Sequence, residues 1–174
     1  FDVIIGNPPY IKEFVNKSAF DGLHNSPYYQ GKMDIWTMFG CVAVDLLKNN
    51  GVLSFIAPNN WISNAGASIF RNKILKDGEL KTFIDFGDYK VFKDAGIQTM
   101  IFVFEKKKPS EKYKNDYFRI NDKNISENQL ISDIWGEKTK IEIEPNKLIG
   151  SNITFTETKS NSIFDKIKSK KNFE

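Results

Sequence analysis

The sequence predicts an α/β domain built around a largely parallel sheet. Short apolar runs that end at Gly or Pro alternate with segments whose apolar residues recur at helical spacing. The order along the chain is strand, helix, strand, helix, strand, strand, which is typical of helices packed on a mostly parallel sheet. Because the fourth strand follows the third without a helix between them, it can run antiparallel to the others.

The first strand and the first helix enclose a long loop. Residues 2–6 form an apolar run stopped by Gly6 and Pro8, as expected of a central parallel strand. Residues 12–32 are polar and aromatic without periodicity and predict the loop. A helix is predicted from Asp34, its candidate N-cap, to Leu47. Its predicted apolar face is Ile35, Met38, Phe39, Val42 and Leu46.

The next three strands and one helix follow with short connections. The run "GVLSFIAP", residues 51–58, predicts the second strand. Residues 59–78 predict the second helix, with Ile69, Ile74 and Leu75 facing inward. Asn59 and Asn60 open this segment and are interpreted as polar residues that cap it. The third strand is predicted over residues 80–87 and the fourth over 98–105.

The chain changes character after Pro109. Residues 1–108 predict one catalytic unit, and residues 109–174 predict a linker or the start of another region, a small α+β extension of short strands and turns. Residues 1–104 carry ten basic and ten acidic side chains, whereas residues 105–174 carry 15 and 12 and so account for the whole net charge of +3. A mildly basic tail permits contact with nucleic acid, although a solvated lysine-rich surface has the same composition.

Composition excludes several classes of protein. No apolar run approaches the length of about 18 residues that a membrane-spanning helix needs. Cys41, the single cysteine, cannot form an internal disulfide, which fits a reducing cytoplasm. One Cys and one His are too few for the usual zinc site. Since Phe1 stands where Met would initiate a chain and already opens a strand, we expect an internal piece of a longer protein.

The segment Asn7-Pro8-Pro9-Tyr10 is the main functional signal. It follows the first strand, and ligands of open α/β sheets bind beyond the carboxyl ends of strands. The two prolines rigidify the backbone and remove two N–H donors, so the site presents acceptors: the Asn7 side-chain oxygen and the main-chain carbonyls. Tyr10 adds a flat aromatic face. A planar group with an exocyclic amine, such as adenine, suits this combination.

The segment resembles motif IV of amino-directed S-adenosylmethionine-dependent methyltransferases. The order of the later segments resembles the adenine-specific (N6) DNA methyltransferases of type II and type IIG restriction-modification systems. Residues 32–62, "KMDIWTMFGCVAVDLLKNNGVLSFIAPNNWI", are similar to the family's motif V and the next strand. Residues 80–106, "LKTFIDFGDYKVFKDAGIQTMIFVFEK", are similar to the stretch through motif VIII. The resemblance covers roughly residues 1–108 and implies the target-base half of a Rossmann-like methyltransferase sheet.

The resemblance implies roles for individual residues. Asn7 and the Pro8 carbonyl accept hydrogen bonds from the target N6 amine, with Pro9 keeping the backbone rigid. Tyr10 stacks on an adenine flipped out of double-stranded DNA, and Phe104 packs against the same base. Phe39, together with Asn7, contacts the methyl donor S-adenosylmethionine. No metal is implied. The implied partners are duplex DNA, the upstream half of the same protein and a target-recognition domain, in a prokaryotic cytoplasm.

Simpler interpretations stay open for several of these residues. Asn7–Tyr10 alone is compatible with a structural turn at a strand end. Phe104 lies in an alternating strand and Phe39 on an apolar helix, where core packing is the ordinary expectation. Cys41 lies within the same helix and is interpreted as core, because cytosine-C5 methylation needs a Cys next to Pro and no such pair occurs.

Three other functions remain possible on the sequence alone. Enzymes that methylate protein glutamine or RNA use the same amine chemistry. Methylation of cytosine N4 in DNA is closer to the adenine reaction, but its motif more often begins with Ser. A non-catalytic DNA-binding or assembly module is the alternative from another class. No Gly-rich donor loop with its following acidic residue can be located, so we expect the isolated chain to bind the donor poorly and to transfer no methyl group.

Overall fold

A mixed sheet with helices packed against it forms the frame of the computed structural model, which describes residues 1–92 and 96–155. The strands are β1 (Val3–Gly6), β2 (Val52–Pro58), β3 (Gly78–Asp85), β4 (Thr99–Lys106), β5 (Tyr113–Arg119) and β6 (Thr139–Ile143). The helices are α1 (Trp36–Leu46), α2 (Ser68–Asp77), α3 (Glu127–Trp135) and the single turn α4 (Pro145–Leu148).

The sheet order is β1-β2-β4-β3-β5-β6. β1 pairs parallel with β2, and β3 pairs parallel with β5. β4 lies between β2 and β3 and runs antiparallel to both, while β6 runs antiparallel to β5. Four of these strands therefore point the same way. The predicted α/β fold is confirmed, and so is the antiparallel fourth strand.

The residues beyond Pro109 continue the same sheet. The main-chain N–H of Leu80 donates to the Tyr113 hydroxyl at 3.2 Å, and the buried Asn115 amide donates to the Leu80 carbonyl at 3.0 Å. Ile141 and Ile143 of β6 belong to the core that α1 and α2 also cover. The described part of the predicted extension thus shares its sheet and core with the preceding residues, and residues 156–174 lie outside the described part.

An aromatic cluster fills the space between the sheet and the first two helices. Trp36 of α1 and Trp61 each approach Phe70 of α2 with ring centroids 5.1 Å apart. Trp61 also lies 5.8 Å from Phe102 of β4. Gly40 allows the close approach of α1, because a Cβ there would lie 2.5 Å from the Phe70 ring. Burial of such rings stabilises a core because each ring removes a large apolar area from water and because the rings contact one another edge to face.

Helix α1 buries only part of its predicted face, since Ile35 and Met38 are buried as predicted. Its core side is Trp36, Cys41 and Val44, whereas Phe39, Val42 and Leu46 of the predicted face are about half exposed. Because this helix is apolar around most of its circumference, spacing alone does not decide which side packs on α2 and β2. Cys41 is confirmed as a core residue, and burial raises the pKa of its thiol to about 12.

The second predicted helix begins later than the sequence indicates. Residues 59–62 and 65–67 form short 3₁₀ turns, and α2 proper starts at Ser68. The buried Arg71 guanidinium explains how these turns are stable, since it donates to the carbonyls of Trp61 at 2.7 Å and Asn64 at 2.9 Å. Ile74 and Leu75 are buried and Ile69 is half-buried, as predicted.

Glu79 is a buried carboxylate at the start of β3. It accepts hydrogen bonds from Lys107 Nζ at 2.9 Å, Ser110 Oγ at 2.8 Å and Lys81 Nζ at 3.2 Å. Burial by itself raises the pKa of this carboxyl, but these three donors outweigh burial and lower the pKa to about 2. A carboxylate whose pKa is lower in the folded than in the unfolded state stabilises the fold above its unfolded pKa.

We expect Glu79→Gln to lower the free energy of unfolding at neutral pH and to flatten its dependence on pH. The wild-type contribution is complete above the ordinary pKa of 4.5 and disappears as the pH falls towards about 2. Urea unfolding at a series of pH values between 2 and 7 measures this, with the exposed Glu142→Gln as control. Parallel curves for wild type and Glu79→Gln would contradict the assignment.

Candidate active site

The carboxyl ends of β1, β2 and β3 meet at one edge of the sheet. Pro58 at the end of β2 pairs with Thr99, and Asp85 at the end of β3 pairs with Met100, so both ends adjoin the start of β4. A groove with a cavity volume of about 860 Å³ opens there, which we call the Tyr10 groove. Its lining includes Tyr10, Lys12, Val15, Asp34, Asn59, Tyr89 and Lys90.

Asn7–Tyr10 leaves β1 directly at this edge. Pro8 is buried, whereas Asn7 and Pro9 are exposed and Tyr10 is half-buried. The Tyr10 hydroxyl lies 2.5 Å from Asn7 Oδ1 and 2.8 Å from the main-chain oxygen of Ile56. Its single proton is donated to one acceptor at a time. When the proton points at Asn7 Oδ1, the nearer of the two acceptors, the hydroxyl orients the Asn7 amide, a role that the sequence did not indicate.

Tyr10 remains protonated over the whole working range of pH. Burial is the main cause and the neighbouring Asp34 carboxylate the second, and together they raise the pKa of the phenol to about 12. The hydroxyl is therefore available as a donor to Asn7 at neutral pH. The Asn7 side-chain oxygen has two lone pairs, so it accepts this bond and still has room for a second donor.

Asp34 faces the same groove. Its main chain forms an antiparallel bridge with Lys12, and among the described residues its Oδ1 atom is buried without a hydrogen-bond partner. Burial raises the pKa of this carboxyl. The predicted N-cap position is wrong by one residue: Ile35 is the N-cap of α1, and the Thr37 hydroxyl donates to the main-chain oxygen of Asp34.

A second aromatic ring, Phe92, stands beside Tyr10. The two ring centroids are 6.4 Å apart and the planes meet at 62°, so Phe92 packs edge-on against Tyr10. Phe92 belongs to the loop that follows β3. The sequence analysis did not single out Phe92, because a lone Phe in a segment without periodicity gives no indication that the fold places it beside Tyr10.

Asp85 holds the start of this loop. Its Oδ1 atom accepts from the Asn59 side-chain amide at 2.9 Å and from the Gly87 N–H at 3.0 Å. Gly87 has a φ of +54° and a Cβ there would lie 2.7 Å from the Ile120 carbonyl, so the turn requires glycine. Asn59 therefore ties the end of β2 to the end of β3, rather than capping a helix as the sequence predicted.

The structure does not bring Phe104 to the Tyr10 groove. Phe104 is fully buried and pairs with Leu53 and Leu80, which lie towards the opposite end of the sheet. A flipped base cannot contact a ring that is closed into the core. The alternation of β4 explains the position, since Met100, Phe102 and Phe104 all point inward.

Phe39 lines a second, apolar cavity of about 410 Å³. Its neighbours there include Ile4 of β1, Val42 of α1 and Phe55 of β2. The cavity borders β1, which is parallel as predicted but lies at the edge of the described sheet and not at its centre, so that Val3 and Ile5 are exposed. Asn7 follows the same strand, so the two predicted donor-binding residues lie on neighbouring elements.

Two other kinds of feature are absent from the part of the chain that the structure describes. No described helix is long and apolar enough to cross a membrane. No three side chains among His, Cys, Asp and Glu cluster in the described residues in a way that could hold a metal ion.

Residues 1–92 match the model of the family "Eco57I restriction-modification methylase". The type II methyltransferase M.HincII of Haemophilus influenzae is 30% identical over 113 residues, which are 62% of this chain and 22% of that protein. The adenine-specific methyltransferase BrxX of Escherichia coli O9:H4 (strain HS) is 26% identical over 171 residues, 91% of this chain and 13% of BrxX. The chain therefore spans about a fifth or less of these relatives.

Solved structures share the fold. The methyltransferase subunit of the type I restriction-modification system from Streptococcus thermophilus superposes with a TM-score of 0.51 at 20% identity, covering 99% of this chain and 32% of that one. A nuclease-deletion mutant of the type ISP restriction-modification enzyme LlaGI, in complex with a DNA substrate mimic, gives a TM-score of 0.57 at 21% identity over 85% of this chain and 15% of that one.

Proposed function

The chain belongs to the Eco57I restriction-modification methylase family, and from this premise we propose that it is the target-base part of a DNA adenine-N6 methyltransferase. The observation that carries the proposal is the Asn7–Tyr10 segment at the carboxyl edge of the sheet. There Tyr10 donates to Asn7 Oδ1 at 2.5 Å and lines an open groove of about 860 Å³.

The segment suits an amine as the nucleophile. The target N6 amine donates its two hydrogens to Asn7 Oδ1 and to the Pro8 carbonyl, which draws the nitrogen towards a tetrahedral geometry with an available lone pair. S-adenosylmethionine, when bound, supplies an electrophilic methyl group on a sulfonium sulfur. The acceptors are fixed before the reaction, by Tyr10 on one side and by the prolines on the other, so they act through position and electrostatics.

We assign the Tyr10 ring to stack on the base, and Phe92, whose ring meets Tyr10 edge-on, to the adjoining side of the base pocket. An adenine inside a duplex is inaccessible to this edge of the sheet, so the base is extruded, and stacking on aromatic rings offsets part of the cost of unstacking. Phe92 takes the place that the resemblance assigns to Phe104. The Asn59–Asp85–Gly87 hydrogen bonds keep the loop that carries Phe92 against Tyr10.

We expect Phe92→Ala to lower kcat/KM for DNA about tenfold, whereas Phe92→Tyr retains most of the activity. Loss of one stacking ring removes about 1–3 kcal/mol of base binding. Steady-state methyl transfer by the full-length protein that contains this chain measures the effect. Equal activity of Phe92→Ala and wild type would exclude Phe92 from the base pocket.

The Phe39 cavity fits part of the methyl donor. A half-exposed ring beside the side chains of Ile4 and Phe55 offers a flat apolar wall for an adenine ring. The described lining of this cavity contains no carboxylate for the ribose hydroxyls or the ammonium group of the donor. Phe39 would therefore hold the adenine of the donor and Asn7 would face its reactive end, while other segments complete the site.

The free edge of β1 and the exposed face of α1 form one apolar surface. Ile5 is 78% exposed on β1 and Leu46 is 53% exposed on α1. An exposed strand edge beside apolar side chains is a site for further strand pairing. We assign this surface to the other half of the catalytic sheet, and we assign DNA and a target-recognition domain as the partners of the whole protein.

The substrate class is tested with the full-length protein, labelled S-adenosylmethionine and three acceptors: mixed-sequence duplex DNA, RNA, and a protein extract whose glutamines are exposed. Label in DNA alone supports the proposal. Label in RNA or protein alone keeps the amine chemistry and replaces the substrate. Transfer to none of them, with retained DNA binding, favours the non-catalytic assembly module.

A further inference from the structure

A turn at the rim of the Tyr10 groove displays two apolar side chains to solvent. Phe14 is 73% exposed and Val15 is 72% exposed, and Val15 also lines the groove. Single exposed apolar residues are ordinary on a protein surface. Two adjacent ones on a fixed turn beside a base-sized groove need a further reason.

The turn is held rigidly on both sides. The N–H groups of Val15 and Asn16 donate to the Lys12 carbonyl at 3.0 and 3.1 Å, which closes the turn. Glu13 N–H donates to the Met33 carbonyl at 3.0 Å, and the Glu13 carboxylate accepts from the Tyr29 hydroxyl and the Lys32 N–H.

The next residue continues this attachment. Asn16 Oδ1 accepts from the Ala19 N–H at 3.2 Å and so begins the following 3₁₀ turn. Hydrogen bonds thus fix Lys12, Glu13 and Asn16, while the side chains of Phe14 and Val15 project between them. The apolar pair is presented on a frame rather than left on a loose loop.

Cationic side chains stand next to the apolar pair. The Lys12 ammonium lies 5.8 Å from the centroid of the Phe14 ring, and Lys90 lines the opposite loop of the groove. Among the described residues neither lysine forms an ion pair. An apolar tip flanked by such lysines is complementary to a nucleic acid, whose phosphates bind the cations while the tip meets the stacked bases.

We propose that the Phe14–Val15 turn is a wedge that enters the duplex at the position vacated by the flipped base. This inference rests on the proposed DNA substrate. Extrusion of the target leaves a gap in the stack opposite an unpaired partner base. Apolar side chains inserted at such a step offset the loss of stacking and keep the base from returning. Val15 and Tyr10 line the same groove, so one segment, residues 7–16, both receives the base and fills the gap.

The test compares matched and weakened duplexes with the full-length protein. After the methylated adenine has been mapped for wild type, methyl transfer is measured on that site with the adenine paired to thymine, and on the same site with an abasic position opposite the adenine. The variant is Phe14→Ala/Val15→Ala. Phe14→Leu keeps an apolar tip, and Trp135→Ala removes an exposed aromatic ring from α3.

We expect the double variant to lose about tenfold or more in kcat/KM on the matched duplex and to come within about twofold of wild type on the weakened one, since extrusion there costs less. Phe14→Leu should retain most of the activity and Trp135→Ala all of it. An equal loss on both duplexes, as when the turn contacts another domain, or no loss on the matched duplex overturns the wedge while wild-type methylation still supports the proposed function. If wild type methylates no DNA, both proposals fall.

Discussion

Replacing Asn7 with alanine should reduce kcat for methyl transfer by about a hundred- to a thousandfold, with DNA affinity changed much less. Removal of one fixed polar group that acts on the transition state costs rates of this order in other enzymes. Asn7 is exposed and follows β1, so its truncation leaves the buried core intact. Asn7→Asp keeps oxygen acceptors in the same place and should retain more activity than Asn7→Ala.

The measurement pairs a single-turnover methyl-transfer rate with a DNA-binding titration. Asn60→Ala is the matched control, because Asn60 is an exposed amide of the same groove whose side chain makes no hydrogen bond to the described residues. Asn60→Ala should retain nearly full activity. A loss of less than tenfold for Asn7→Ala, or a loss shared with Asn60→Ala, would show that the Asn7 oxygen is not the acceptor for the reacting amine.

Tyr10→Ala should lower kcat/KM about a hundredfold, and Tyr10→Phe only several-fold. Alanine removes a stacking ring, worth about 1–3 kcal/mol, and also the hydroxyl that orients Asn7. Phenylalanine keeps the ring and removes one hydrogen bond, worth about 0.5–1.5 kcal/mol. The ratio of the two losses separates stacking from the orientation of Asn7.

The dependence on pH gives an independent check of Tyr10. Since its pKa is raised to about 12, the phenol is neutral at every pH at which the protein is assayed. Wild type and Tyr10→Phe should therefore show parallel pH–rate profiles up to about pH 11. Equal losses for Tyr10→Ala and Tyr10→Phe would mean that the ring does not stack on the base.

Local patterns predicted most of the fold because apolar runs with Gly and Pro at their ends specify strands by themselves. The fourth strand shows the limit of this information. Its antiparallel direction follows from the missing helix before it, but its place between β2 and β3 follows from pairing across the chain. Helix α1 shows the same limit, since its apolar circumference leaves the buried side to α2 and β2.

The residues of the candidate site were likewise only partly predictable from the sequence. Asn7–Tyr10 was predictable because a rigid, acceptor-rich segment is written in consecutive residues. Phe92, Asn59 and Asp85 were not, because three segments distant in sequence bring them together at one sheet edge. The resemblance assigned Phe104 to the target base, whereas its place in an alternating strand indicated the core, and Phe104 is indeed buried in the core.

The identity of the methylated atom tests the central claim most directly. Duplex DNA is incubated with the full-length protein and labelled S-adenosylmethionine, then digested to nucleosides that are separated and counted. We predict label on N6-methyladenine with wild type and almost none with Asn7→Ala. Label on N4-methylcytosine, or undiminished N6-methyladenine with Asn7→Ala, would contradict the assignment of Asn7 and Tyr10 to a flipped adenine.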